Sequence, residues 1–327
     1  MIVVTGGAGF IGSAFIWRLN REGIEDIVVV DRLGSTEKWK NLVPLRYADY
    51  FHKDTFLSMV MDDSLPFSVD AVIHMGACSS TTERDADYLM ENKYRYSRRL
   101  AEWAITKGIR FIYASSAATY GDGGRGFSDD DGTSMTLRPV NMYGYSKQRF
   151  DLWVLQGGFE KHVAGLKFFN VYGPNEYHKG EMRSVVHKSF GQIVERGRVR
   201  LFKSHRPEFE DGGQQRDFVY VKDCVEVMRW LLEHRAVMGI FNLGTGRSRT
   251  WNDLAGAVFN AMHRTPEIEY IAMPESIQAH YQYFTEARME KLKAAGCDIR
   301  FSSLEDGIAD YVEGYLLNEE QTLTLPE

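Results

Sequence analysis

In "NMYGYSKQRF", Tyr143 and Lys147 stand four residues apart. That spacing puts both side chains on one face of a helix, whereas Tyr145, two residues from Lys147, points elsewhere. A free phenol titrates near about 10, and an ammonium beside it favours the phenolate. Tyr143 is therefore a candidate acid–base group for an alcohol. Ser116, in the upstream "YASSAATYG", could hydrogen-bond the same substrate oxygen. A second lysine lies in "NVYGPNEYHKGEM", where the Gly-Pro break puts Lys179 in a loop rather than on a regular helix face.

An alcohol carbon needs a hydride acceptor, and the N-terminus offers a place for one. In "VVTGGAGFIGSAF", Gly7, Gly9 and Gly12 fit G-x-G-x-x-G, and Gly6, Gly9 and Gly12 fit G-x-x-G-x-x-G. The pattern follows a strand and opens a helix. Such glycines let the backbone approach a pyrophosphate, which the helix N-terminus attracts. Asp31 ends the next strand at about the 20-residue offset expected for a ribose 2′-OH contact, which favours NAD. Arg32 is adjacent, and Lys38 and Lys53 follow; cations there accept a 2′-phosphate, which favours NADP. Three cations against one carboxylate tip the expectation to NADP, with NAD as the alternative. A positive nicotinamide would further favour the Tyr143 phenolate.

These groups need a scaffold. "MIVVT", "DIVVVD", "DAVIHMG" and "IRFIYASS" read as buried strands. "GSAFIWRLNREG" and the long "ADYLMENKYRYSRRLAEWAITKG" read as helices among them. This alternation predicts an α/β fold, a Rossmann-like doubly wound parallel sheet. "VAGLKFFNVYG" predicts one further strand, and "LQGGFE" the end of the Lys147 helix. "HRPEFEDGGQQRD" reads as a loop, and "FNLGTG" and "IEYIAM" as short strands. Residues 1–169 are expected to form the dinucleotide domain, with the stretch about 216–245 returning to it. Residues 170–327 should mainly form a smaller, interleaved substrate-binding part over the carboxyl ends of the strands.

The 327 residues carry a net charge of −6, with no broad basic field to suggest nucleic acid. Cys78, Cys224 and Cys297 are far apart and lack metal-ligand spacing, as in a reducing compartment. "MIVVTGG" has no charged region followed by an apolar one, and no apolar run reaches about 18 residues. A cytoplasmic protein without a membrane span or a metal is expected.

Together, "TGGAGFIG", "ASSAATYG", "YGYSK", "RDFVYVKD" and "FNLGTG" resemble the extended short-chain dehydrogenases/reductases that act on nucleotide sugars, over nearly the whole chain. "GACSSTTE" and "FNVYGPNEYHKG" narrow the likeness to the branch that inverts the exocyclic C6 of an ADP-linked heptose, a lipopolysaccharide core precursor. That resemblance implies oxidation of C6 to a ketone, rotation about C5–C6 and re-reduction by the same cofactor. After rotation the carbonyl oxygen has left the group that took its proton, so a second acid–base group is needed. The resemblance pairs Tyr143 with Lys179 in these roles. It gives Phe10, Ile11, Met75, Gly76, Ala77, Cys78, Ser79, Asn92, Lys147, Val171 and Lys179 to the cofactor. To the substrate it gives Ser116, Asn170, Phe202 near the adenosine, Arg216 at the diphosphate, and Tyr281. It implies a homo-oligomer, a pentamer being the form to expect.

Glu181 and Lys188 depart from the family's Ser and His in the substrate stretch, and a carboxylate there would repel phosphate unless it bonds a sugar hydroxyl or faces away. "KSHRPEFEDGGQQ" is longer than the family's usual loop. A 4,6-dehydratase would carry an acidic pair where Ala117 and Ala118 stand, so dehydration is rejected. A nucleotide-sugar 4-epimerase needs only the Ser, Tyr and Lys, and Lys179 argues against it. A non-catalytic cofactor sensor would be expected to have lost Tyr143 or Lys147.

Overall fold

The computed structural model describes residues 1–76, 83, 85–278 and 281–325. Seven strands make one parallel sheet: β1 (Ile2–Thr5), β2 (Ile27–Asp31), β3 (Asp49–His52), β4 (Ala71–His74), β5 (Arg110–Ser116), β6 (Val163–Phe168) and a late strand, Gly239–Leu243. Its order is late strand, β6, β5, β4, β1, β2, β3. β2 and β4 are buried along their whole length, as strands covered on both faces must be. Alternate side chains feed separate cores. Val4, Val29, Ile73 and Ile112 pack on one face, and Val3, Val28, Val72 and Phe111 on the other. The strand order reverses between β1 and β4, which opens a crevice at their carboxyl ends.

"VAGLKFFNVYG" holds two strands rather than one. After β6 the chain breaks at Phe169, whose N–H donates to the Leu243 carbonyl at 3.0 Å. β7 (Asn170–Tyr172) then leaves for a second sheet. There it pairs with β9 (Gln215–Tyr220), which also pairs with β11 (Ser248–Thr250). Within 216–245, the late strand, β10 in chain order, extends the large sheet beside β6. The helix Val221–Glu233 packs on the first helix, Phe10–Asn20. β9 does not return to the large sheet. "IEYIAM" supplies β12 (Ile268–Ile271), paired with β8 (Val199–Phe202). The long helix expected over 86–108 is helical but widens into a π segment at Met90–Arg95. The Lys147 helix, Met142–Gln156, stops at Gly157, as "LQGGFE" implied. No helix among the described residues is long and apolar enough to cross a membrane.

Candidate active site

A cavity of about 450 Å³ lies over the ends of β5 and β6. Tyr143 and Lys147 enter it from the first two turns of their helix. Asn141 caps that helix, its side-chain oxygen accepting the Gly144 N–H at 2.7 Å. A Cβ on Gly144 would stand 2.5 Å from the Ala118 carbonyl oxygen, so glycine lets the helix start lie against the turn after β5. Beneath, the buried Asp151 carboxylate accepts from Lys167 Nζ (2.6 Å), Ser115 Oγ (2.6 Å) and Tyr113 Oη (3.0 Å), tying the helix to β5 and β6. Ser116 therefore shares the cavity with Tyr143, while Tyr145 points to solvent. Lys147 Nζ donates to the Ala114 carbonyl at 2.6 Å. Burial pulls its ammonium down to about 8, with the Asp151 charge opposing.

Lys179 reaches the same cavity from another wall. It sits in the tight turn Tyr177–Met182, which breaks at Gly180 (φ +54°). Two fully buried polar residues hold that loop. Asn175 Nδ2 donates to Ser13 Oγ at 2.9 Å, and Asn175 Oδ1 accepts the Leu323 N–H at 2.9 Å. Glu176 accepts from the Ser184 N–H (2.5 Å), Ser184 Oγ (2.6 Å) and Tyr311 Oη (3.1 Å). Lys179 Nζ lies 5.1 Å from the Phe10 ring centroid. Burial lowers its ammonium below the ordinary lysine range, and Glu176 opposes this.

At the far end, Arg216 is almost wholly buried, its guanidinium 5.6 Å from the Trp251 ring and 5.4 Å from the Tyr281 ring. Tyr281 also meets Phe202, with centroids 6.3 Å apart. Asn170, Val171, Phe10, Ile11 and Met75 line the cavity. Glu181 and Lys188 do not. Lys188 Nζ donates to the Glu181 carbonyl (2.5 Å), and the Glu181 carboxylate turns to solvent, away from the cavity.

The family model for the NAD dependent epimerase/dehydratase family matches residues 2–244. The chain belongs to that family. Among its relatives, the ADP-L-glycero-D-manno-heptose-6-epimerase of Nitratidesulfovibrio vulgaris (strain DP4) is 65% identical, over 97% of this chain and 98% of its own. The crystal structure of the Helicobacter pylori protein of the same name superposes with a TM-score of 0.79 at 28% identity, covering 96% of this chain and 95% of that one. The Thermus thermophilus UDP-glucose 4-epimerase in complex with NAD gives 0.72 at 26%, covering 95% and 97%.

As a member of a nicotinamide-dependent family, the chain needs a dinucleotide cradle, and the β1–β4 crevice fits one. The first helix starts after Gly9 with no side-chain cap, leaving its first N–H groups for an anion. Gly6 has φ +67°, and a Cβ on Gly12 would stand 2.2 Å from the Gly6 carbonyl oxygen; the turn closes only with glycine there. Gly7 is buried under that turn. Gly76 N–H donates to Thr5 Oγ1 at 3.1 Å; Ala77, Cys78 and Ser79 lie outside the described residues. A second cavity, about 180 Å³, is lined by Gly6, Asp31, Arg32, Lys38, Lys53, Gly76 and Asn92. The count of three cations against one carboxylate changes here. Lys38 Nζ bonds Asp31 Oδ1 at 2.7 Å, and Lys53 Nζ bonds Asp54 Oδ1 at 2.6 Å and Asn92 Oδ1 at 3.1 Å. Lys53 thus brings a second carboxylate with it. Asp31 Oδ2 is held by the Ala8 N–H at 3.0 Å.

The sequence reading missed several wall residues: Arg183, Trp251, Gln282 and Thr285. Arg183 follows Lys179 by four residues in the same loop, so proximity was a usable signal. The other three come from distant segments, and nothing local marked them. Lys93, whose ammonium lies against the Tyr143 ring, was also missed.

Proposed function

We propose that this chain inverts C6 of the heptose in ADP-D-glycero-D-manno-heptose to give the L-glycero epimer, through a 6-keto intermediate. The observation that carries this reading is that Tyr143 and Lys179 line one cavity from two different elements, which a ketone that turns about C5–C6 requires. The name of the 65% identical relative agrees. Held at the β1–β4 crevice by the glycine turn and the Asp31–Arg32 end of β2, NADP+ would supply the hydride acceptor and donor for C6. Tyr143 and Lys179 handle the protons: one removes the O6 proton in the oxidation, and the other donates a proton to O6 in the reduction. Each contributes about 10²–10⁴-fold. Burial lowers the Lys179 ammonium below the ordinary lysine range, which makes that side chain a readier proton donor. Ser116 orients O6, and Lys147 orients the cofactor and favours the Tyr143 phenolate. Arg216 presents its fork to the diphosphate, with Phe202 and Tyr281 beside the adenosine and Asn170 at the sugar. Glu181 and Lys188 flank the substrate site without lining the cavity.

We assign NADP rather than NAD because Asp31 already accepts from the Ala8 N–H and Lys38, which leaves Arg32 beside it to meet a 2′-phosphate. Residues 1–169 with the β10 strand form the dinucleotide domain and 170–327 mainly the substrate part, in a cytoplasmic homo-oligomer. The test is turnover of substrate deuterated at C6, with no added cofactor. Many turnovers with the label retained are expected. Washout of the label into water would mean proton abstraction from carbon and would overturn the hydride mechanism. Conversion of a UDP-hexose at C4 instead would establish the 4-epimerase reading.

A further inference from the structure

Lys147 is not the only lysine beside Tyr143. Lys93 lies in the π-helical segment Met90–Arg95 and is 2% exposed. Its Nζ stands 3.6 Å from the centroid of the Tyr143 ring, well inside the distance at which an aromatic face attracts an ammonium. Burying an ammonium is costly unless its surroundings compensate, and π turns recur where a helix must aim a side chain at a functional site. The widened turn thus carries a buried ammonium that lies on the cavity's acid–base group.

The charges around Tyr143 among the described residues make Lys93 distinctive. Lys147 lies along its own helix, and Lys179, Arg183 and Arg216 line the cavity from other elements. β5 and the turn after it contribute Ser115, Ser116, Ala117 and Ala118, none of them charged. Asp87 in the short helix Ala86–Leu89 and Asp131 in the helix Asp131–Thr136 are exposed. Glu160 and Lys161 follow the opposite end of the Tyr143 helix. Asp151 is paired with Lys167. Of the π segment's own charges, Glu91 and Arg95 pair with each other in exposed positions, whereas the Lys93 ammonium lies against the Tyr143 ring.

We propose that Lys93 is a positioning residue that acts through Tyr143: its ammonium fixes the ring against the cavity wall and favours the phenolate. This rests on Tyr143 being an acid–base group, so the test separates the two ideas. The ultraviolet titration of the protein minus that of Tyr143→Phe reports the ionisation of Tyr143 without any turnover. Lys93→Met, similar in length and neutral, should move that ionisation to higher pH by about 1 unit or more. The acid limb of the Tyr143-dependent half-reaction, which needs phenolate, should move up with it, and Lys93→Arg should restore most of both. The Lys179-dependent half-reaction should keep its pH profile. A titration and an acid limb that stay in place in Lys93→Met would overturn the proposal, even with Tyr143→Phe inactive. Full epimerisation by Tyr143→Phe would instead remove the role of Tyr143, while the titration would still decide whether Lys93 acts on the phenol. If melting curves show Lys93→Met unfolded, Lys93→Gln is read against Lys93→Arg in the same titration. Equal values in those two variants would overturn the proposal.

Discussion

The two basic walls of the cavity are built in opposite ways. Tyr143 stands in the first turn of a regular helix, where Asn141 caps the end and the helix dipole adds positive potential. Lys179 stands in a short turn that breaks at Gly180. Its place is set by Asn175 and Glu176, which reach the first helix, the 304–311 helix and the C-terminal tail. One side is positioned by local periodicity, the other by buried hydrogen bonds from segments far apart in the chain. A helix face is stiff by construction, whereas a loop is stiff only while its clamps hold. The Lys179 half-reaction should therefore be the one that remote changes can disable.

The largest expected effect tests whether both walls act at all. Tyr143→Phe and Lys179→Met should each lower epimerisation by about 10²–10⁴-fold. With a C6 aldehyde analogue that can be both oxidised and reduced, each variant should lose hydride exchange with a different epimer-like partner. If Lys179→Met only raises KM with kcat nearly unchanged, the lysine is a binding group and the comparison collapses.

The next test breaks a clamp. Asn175→Ala leaves the Leu323 N–H without its acceptor and puts alanine at φ +77°. A loss of about 1–3 kcal/mol of stability is expected by denaturant titration. The Lys179-dependent half-reaction should fall while the Tyr143-dependent one stays near its parent rate. An equal fall in both would mean the two walls move as one body.

Arg32→Ala sharpens the cofactor assignment without touching either wall. It should weaken NADP binding more than NAD binding, by about 1.5–3 kcal/mol, as read by calorimetry. Equal losses would remove the 2′-phosphate contact.

The smallest effect concerns Lys147, whose ammonium burial lowers to about 8, below the 10.5 of a free lysine. Between these values the unfolded chain binds more protons than the native one, so stability rises with pH across that window. Measured as the difference between parent and Lys147→Met, unfolding free energy should climb by about 1 kcal/mol from pH 8 to pH 9. A flat difference would mean that Lys147 titrates normally.

What the sequence determined by itself is the part governed by short-range periodicity. The strand-then-glycine turn, the acidic end of β2 and the four-residue Tyr143–Lys147 spacing each depend on residues close together, and backbone geometry alone gives them meaning. The β6 run was misread because period and composition do not change at Phe169 while the chain switches sheets there. The π segment was invisible because one extra residue in a helical turn leaves a helical pattern intact, yet it decides that Lys93 meets the Tyr143 ring. The contact of Lys53 with Asn92, the turning of Glu181 to solvent, the packing of Arg216 against Trp251 and Tyr281, and the clamps on the Lys179 loop were decided by the tertiary structure. Where a charged side chain points depends on which distant backbone and side-chain groups remain to pair with it, and only the packed chain brings those groups within bonding distance.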